Sequence, residues 1–420
     1  MKKLQPVRGT HDFLPSEMRH YRHVVDTSKI TSTIYGFEEV QTPIFEFDDV
    51  FKRTLGDTSD VVSKEMYSFQ DRGGDLITLR PENTASICRM LLSNGLLQDW
   101  PQKFFYAGPM FRYERPQKGR MRQFHQIGIE FLGSKTFLAD IEIIALGWAI
   151  LKNLHIADSF KLEINTLGDY ESRQNYRQKL VEYLQDYRHQ LSPESQIRLE
   201  RNPLRILDSK DSNDQTILKN APLYTDSLNT VSRDFFSKIL EGLNYLNIPY
   251  VINSQLVRGL DYYCHTCFEI TCEALGAQKT LLAGGRYDGL MAMLGNVDVP
   301  GVGWAAGVER LMLVAPPPSQ IDRPIVVIAA DEDSILSALT ITETLRAHKI
   351  KSHFVQNSNL GKSLKKADKL DCKYVLLIGE TERKNAKVTL RDLDQGHQIQ
   401  IDTNNLVAVL KNEYIDVFLK

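Results

Sequence analysis

The sequence predicts an α+β chain: a core of mixed helices and strands, interrupted by a helical insertion and followed by a small α/β domain. Three observations carry this. Up to residue 168, helical segments alternate with strand-like stretches, among them one hairpin. Residues 169–250 are polar, charged and helical in period, with little that reads as a buried strand. Beyond the proline-rich "APPPSQIDRP" at 315–324, apolar runs and helical segments alternate as β-α-β-α-β.

The length of 420 residues suits two or three domains with ample core. Charged residues make up 25% and the net charge is −2, so any nucleic-acid partner must be met by local basic patches. Five scattered cysteines argue for a reducing compartment and against a disulfide scaffold. Cys264 and Cys267 alternate within a strand-like run and lack a second ligand pair, so no metal site is expected. The first residues lack the apolar stretch of a signal peptide, and no run of about 18 apolar residues occurs, so a cytoplasmic protein is expected.

In chain order, a helix over 17–35 leads to strand-like "YGFEEVQTPIFEF", ended by Pro43. "DLITLRPENTASICRMLLSN" reads as strand, turn at Pro81, and a helix that Thr84 could cap. "PMFRYERPQKGRMRQFHQIGIEF" (109–131) predicts two adjacent strands around a basic turn. With a two-residue period, Met110, Arg112 and Glu114 share a face, as do Phe124, Gln126 and Glu130, while Ile127, Ile129 and Phe131 point oppositely. A face with both charge signs and an aromatic suits a flat, charged ligand, or else a hairpin laced with salt bridges. A helix near 138–153 and strand-like "FKLEINTL" (160–167) follow. After the insertion, strand signals resume at 251 with "VINSQLVRGLDYYCHTCFEIT", and "GVGWAAGVERLMLVA" runs from a glycine-rich strand into a helix.

Three distant stretches carry more than packing requires. "LVRGLDYY" (256–263) sets Arg258 in an apolar strand context, where it must meet a carboxylate such as Asp261 or a negatively charged ligand. "AGGRYDGL" (283–290) pairs glycines at a close approach or a sharp turn. "GWAAGVERL" (303–311) places Glu309 and Arg310 in the first turn of a helix, within reach of phosphate or of solvent.

Taken together, these stretches resemble the histidyl-tRNA synthetases of class II over essentially the whole chain. "GFEEVQTPIFE" resembles motif 1, "MFRYERPQKGRMRQFHQIGIE" motif 2 and "GVGWAAGVERL" motif 3. "LVRGLDYY" and "AGGRYDGL" are similar to the two signatures peculiar to the histidine enzymes, and "VRGTHDFLP" to their usual opening. The resemblance implies a largely antiparallel catalytic core (1–168 and 251–315), an insertion over 169–250 touching the acceptor arm, a linker at 316–323, and an anticodon-binding domain at 324–420.

It also implies residue roles. Arg112 would hold the ATP α-phosphate, Glu114 the adenine amino group, Phe124 the adenine ring, and Arg120 and Arg310 the outer phosphates. Glu82, Thr84 and Gln126 would take the histidine α-amino group, and Glu130 and Tyr263 the imidazole nitrogens, with Tyr287 closing the pocket. Arg258 would stabilise charge between the histidine carboxylate and the α-phosphate. Arg115 and Gln117 would face the tRNA acceptor end. In "GKSLKKADKLDCK", Lys362, Lys366, Lys369 and Lys373 share one helical face and are expected to meet tRNA phosphates.

The implied activity is ATP-dependent ligation of L-histidine to tRNA(His), with ATP accompanied by Mg2+, by a homodimer joined through motif 1. The alternative is the non-catalytic, histidine-sensing regulatory subunit of ATP phosphoribosyltransferase, which shares the catalytic core. Asn83 stands where the family usually has glycine, and a turn there expects a residue that tolerates positive φ.

Overall fold

The computed structural model describes residues 4–56, 61–117, 119–156, 160–257, 262–318, 323–355 and 360–411. The chain divides into two compact units, Met1–Pro318 and Ser319–Lys420. Among the described residues, strands assemble into sheets of eight, three and five.

The first unit begins with helix α1 (Pro15–Ile34). Pro15 suits the first helical turn, and the Glu17 carboxylate accepts the Leu14 amide at 3.1 Å. The strand expected over 35–47 is two short ones in different sheets, β1 (Glu38–Glu39) and β2 (Phe45–Phe47). Pro43 lies in the connection, where no ladder amide is needed. Helix α2 (Asp48–Leu55), β3 (Tyr67–Gln70), β4 (Leu76–Leu79) and helix α3 (Thr84–Ser93) follow. The hairpin is β5 (Gln102–Phe111) with β6 (Gln123–Leu132), in a register that sets Met110 opposite Phe124, Gly108 opposite Gln126 and Phe104 opposite Glu130. Helix α4 (Phe137–Asn153) and β7 (Phe160–Thr166) complete this stretch.

Between β7 and β8 (Tyr250–Ile252) the chain is helical, with α5 (Tyr170–Gln185), α6 (Pro193–Arg201), α7 (Ser212–Leu218) and α8 (Thr230–Tyr245). The entry and exit helices are each capped by the residue just before them, and the two caps are bonded to each other. Asp169 accepts the Ser172 amide at 2.8 Å and Asn229 the Ser232 amide at 2.9 Å, while Asn229 Nδ2 donates to Asp169 at 2.7 Å. Strand β9 (Cys264–Cys272) begins only after "LVRGLDYY". Then come β10 (Thr280–Arg286), α9 (Leu290–Gly295), β11 (Gly301–Gly307) and α10 (Val308–Val314).

The large sheet runs β1-β5-β6-β11-β10-β9-β7-β8, antiparallel throughout except at its two edge pairs. The alternation expected of the hairpin holds. Ile127, Ile129 and Phe131 pack with α1, α4, α8 and α10 into one core. Met110, Tyr106 and Phe104 join a second core on the opposite face, against α2, α3, α9 and the insertion. Gln126 and Glu130, which alternate with Ile127, Ile129 and Phe131, lie over that second face.

The second unit contains β12 (Ile325–Ala329), α11 (Ile335–Ala347), β13 (Ser352–Val355), α12 (Leu360–Lys369) and β14 (Tyr374–Ile378). A short helix α13 (Glu380–Lys384) and an antiparallel pair, β15 (Lys387–Asp392) and β16 (Gln398–Asp402), extend the expected β-α-β-α-β. The sheet order is β13-β12-β14-β15-β16. Lys373 lies beyond the end of α12, which corrects the expectation that it shares a helix face with Lys362, Lys366 and Lys369. Those three are exposed while Ser363 and Ala367 are buried.

Candidate active site

The first turn of α3 builds one wall of the site. The Glu82 carboxylate accepts the amides of Thr84 at 2.6 Å and Ala85 at 3.0 Å, two of the donors a helix N-terminus leaves unpaired. The cap residue is Asn83 rather than Thr84, and its φ of −119° needs no left-handed tolerance. Its Oδ1 instead accepts from Thr42 Oγ1 at 2.7 Å and from buried Arg80 at 3.1 Å. Arg80 also donates to the carbonyls of Thr42 and Pro109, tying the chain before β2 to the hairpin.

Thr84 is thereby free to turn its hydroxyl to Glu130 Oε1, at 2.7 Å. The Tyr287 hydroxyl donates to the other oxygen of Glu130. Burial pushes the Glu130 carboxyl up to about 8, against the opposing pull of the two hydroxyl donors. Glu82 is raised as well, by burial, and its two amide donors work against the shift. Glu130 fits because its neighbour across the ladder is Gly303, where a Cβ would collide with Oε2. Gly128 is required in the same way by the Tyr106 ring.

A cavity of about 720 Å³ opens over this face. Glu82, Thr84, Gln126 and Tyr263 line it, as do Arg112, Glu114, Arg120, Phe124 and Arg310. Gln126 Oε1 is buried without a hydrogen-bond partner, so the cavity holds an unanswered acceptor. Glu130 and Tyr287 are set one layer deeper, and the Tyr262 ring bridges Tyr263 and Tyr287 with centroid distances of 4.6 and 5.8 Å. Arg258 lies outside the described residues.

The charged part of the cavity is knitted together by its own side chains. Arg112 donates to the Pro81 carbonyl at 2.9 Å, and its guanidinium stands 5.4 Å from the centre of the Phe124 ring. Glu114 pairs with Arg120. Arg310 donates to the carbonyls of Gly119 at 2.9 Å and Thr280 at 3.0 Å. Burial, then the neighbouring Arg120, lower the Arg310 guanidinium from its ordinary value. Arg115 and Gln117 are exposed on the connecting turn. The cavity therefore offers acceptors together with planar cations and an aromatic face, complementary to an ammonium and to a base with phosphates.

A family model described as histidyl-tRNA synthetase matches residues 9–311, and one described as anticodon binding domain matches 324–413. The chain belongs to the histidyl-tRNA synthetase family.

Relatives within the family include the histidine–tRNA ligase of Rhodospirillum rubrum, 52% identical over 420 residues that cover all of both chains. That of Gluconobacter oxydans is 47% identical over 410 residues, 98% of this chain and 99% of the relative. The crystal structure of apo S. aureus histidyl-tRNA synthetase is similar with a TM-score of 0.82 and 31% identity, covering 97% of this chain and 100% of that one. The class II fold implied by the sequence is thus the fold of the family.

Two side chains of the synthetase site escaped the sequence reading. Tyr106 lines the cavity and shares the face of Phe104 and Met110, so counting back in twos from Met110 would have found it. Arg80 belongs to "LRPENT" and bridges segments far apart in sequence, which no local pattern announces.

Proposed function

We propose that this chain is a histidine–tRNA ligase whose cavity activates L-histidine with ATP and passes the histidyl group to tRNA(His). The observation that carries the reading is the convergence of α3, the β5–β6 hairpin, Tyr263 and α10 on one cavity with an unpartnered buried acceptor, Gln126. Glu82, Thr84 and Gln126 hold the α-amino group. Glu130 and Tyr263 bond the imidazole nitrogens, with Tyr287 bracing Glu130 from behind. A site that bonds both nitrogens rejects isosteres, because their absence leaves buried groups unsatisfied.

Phe124 stacks on adenine, Glu114 takes the adenine amino group, and Arg112, Arg120 and Arg310 take the phosphates. Binding of ATP exchanges the Glu114–Arg120 pair for contacts to the nucleotide. A histidine carboxylate oxygen then bonds to the α-phosphorus as the bond to the pyrophosphate oxygen breaks, giving histidyl-adenylate and pyrophosphate. Arg258, assigned by its motif, stabilises the charge of that step. A hydroxyl of the terminal ribose next attacks the histidyl carbonyl and AMP leaves. Magnesium would accompany ATP. No group of three or more His, Cys, Asp or Glu side chains is placed to hold a metal among the described residues.

Arg115 and Gln117 face the acceptor end, and Lys362, Lys366 and Lys369 meet tRNA phosphates. The homodimer reading draws support from Phe45 and Phe47 on β2 and Phe69 on β3, which flank β4 in the small sheet and are 52%, 61% and 47% exposed. No helix of the described chain is long and apolar enough to cross a membrane, which fits a cytoplasmic enzyme. The regulatory-subunit alternative is disfavoured by full-length relatives that are histidine–tRNA ligases. ATP–pyrophosphate exchange by the purified protein tests the reading: exchange should require histidine, and exchange with another amino acid, or none at all, would overturn it.

A further inference from the structure

Strand β11 ends at Gly307, opposite Gln126, and the chain turns at once into α10. The next amide along β6, that of His125, therefore meets a helix start instead of a strand. Glu309 occupies that gap. Both of its carboxylate oxygens accept the His125 amide, at 2.9 and 3.0 Å, and Oε1 also meets His125 Nδ1 at 2.8 Å. The imidazole is held in turn between the Phe13 and Tyr21 rings, both edge-on, with centroids 5.4 and 5.1 Å away. His125 lies between Phe124 and Gln126 in sequence and points to the opposite side of the sheet from both. Glu309 directly precedes Arg310. One carboxylate thus fixes where the strand carrying Phe124 and Gln126 stands relative to the helix carrying Arg310.

We infer that Glu309 is a positioning residue that holds the two halves of the nucleotide pocket in register, acting through His125. The inference rests on reading Phe124 and Arg310 as nucleotide-binding residues. Charge-assisted bonds to a backbone amide are short and directional, so they hold a strand end more stiffly than apolar contact would. An aromatic slot and a cation on separate elements bind one nucleotide well only when their spacing is preset, since misplacement of about 1 Å costs roughly two orders of magnitude.

The test is histidine-dependent pyrophosphate exchange with thermal unfolding on the same full-length samples. Glu309→Ala should raise the KM for ATP at least tenfold in the folded fraction, while the KM for histidine moves less. Glu309→Gln keeps an oxygen for the His125 amide and should restore the ATP KM to within about threefold of the parent. Glu309→Asp, which keeps the charge but withdraws it by a methylene, should raise the ATP KM at least threefold, and it decides the matter if the alanine variant does not fold. An ATP KM within twofold of the parent in Glu309→Asp, or in folded Glu309→Ala, overturns the inference, as does a glutamine variant no better than alanine. Phe124→Ala serves as the control. If it too leaves the ATP KM unchanged, the nucleotide reading of the cavity has failed rather than the role of Glu309.

Discussion

Tyr287 donates its hydroxyl to Glu130, and Glu130 is buried opposite Gly303, where any side chain would collide with its carboxylate. The Thr84 hydroxyl occupies the second oxygen, at 2.7 Å. A carboxylate with two hydroxyl donors and no cation directly paired with it among the described hydrogen bonds and ion pairs suits a ligand that brings its own N–H.

That arrangement has a cost in stability that depends on pH. The Glu130 carboxyl is raised from its ordinary 4.5 to about 8. The folded empty protein keeps this proton up to about 8, whereas the unfolded chain releases it near 4.5. Between those values the unfolded state binds fewer protons than the native state, so this group lowers stability as pH rises, and the effect levels off above about 8. Glu130→Gln should therefore melt higher than the parent without ligand, by a margin that widens from pH 5 to pH 8. Its kcat/KM for histidine should fall by about two orders of magnitude. Thermal unfolding across that range checks the first part, and a margin that shrinks with pH would refute the assignment.

Removing the aromatic slot should act on the nucleotide. Phe124→Ala is expected to raise the ATP KM by the equivalent of about 1–3 kcal/mol, the usual worth of base–aromatic stacking. Its histidine KM should change little. Steady-state exchange at varied ATP measures this, and an unchanged ATP KM would return Phe124 to the second core, against which it packs.

Arg258 should contribute mainly in the transition state. Arg258→Ala is expected to lower kcat for exchange by about two orders of magnitude while the ATP KM moves much less, because three other arginines hold the phosphates. Arg258→Lys should recover part of the loss, lacking the planar fork. Marked destabilisation with near-normal kcat in the folded fraction would make Arg258 a structural residue.

The exposed lysines of α12 should matter for tRNA alone. Changing Lys366 and Lys369 to glutamate should weaken tRNA binding and flatten its dependence on salt, with pyrophosphate exchange unaffected. Filter binding across a salt series decides it. Parallel slopes for variant and parent would leave the lysines as a solvated face.

Local pattern determined the elements around the site. The two-residue period of 109–131 placed Met110 with Phe124, Gln126 and Glu130 and put Ile127, Ile129 and Phe131 in the opposite core, because a strand's pleat leaves a side chain only two directions. The same signal was too weak to announce β15 and β16, where "KVTLRD" and "QIQID" alternate but each strand offers only two apolar side chains.

What the sequence by itself determined was the family, the hairpin's two faces and the order of the motifs. Those are properties of residues near one another in the chain, or of residue identities that resemble a known set. Tertiary structure alone decided that Asn83 accepts from the Thr42 hydroxyl, that Gly303 clears the Glu130 carboxylate, and that Glu309 receives the His125 amide across 184 positions of sequence. Each depends on strand register and on the direction in which a helix leaves a sheet. Such contacts form between segments whose separation carries no period, so only the packed chain brings their hydrogen-bonding groups within about 3 Å of one another.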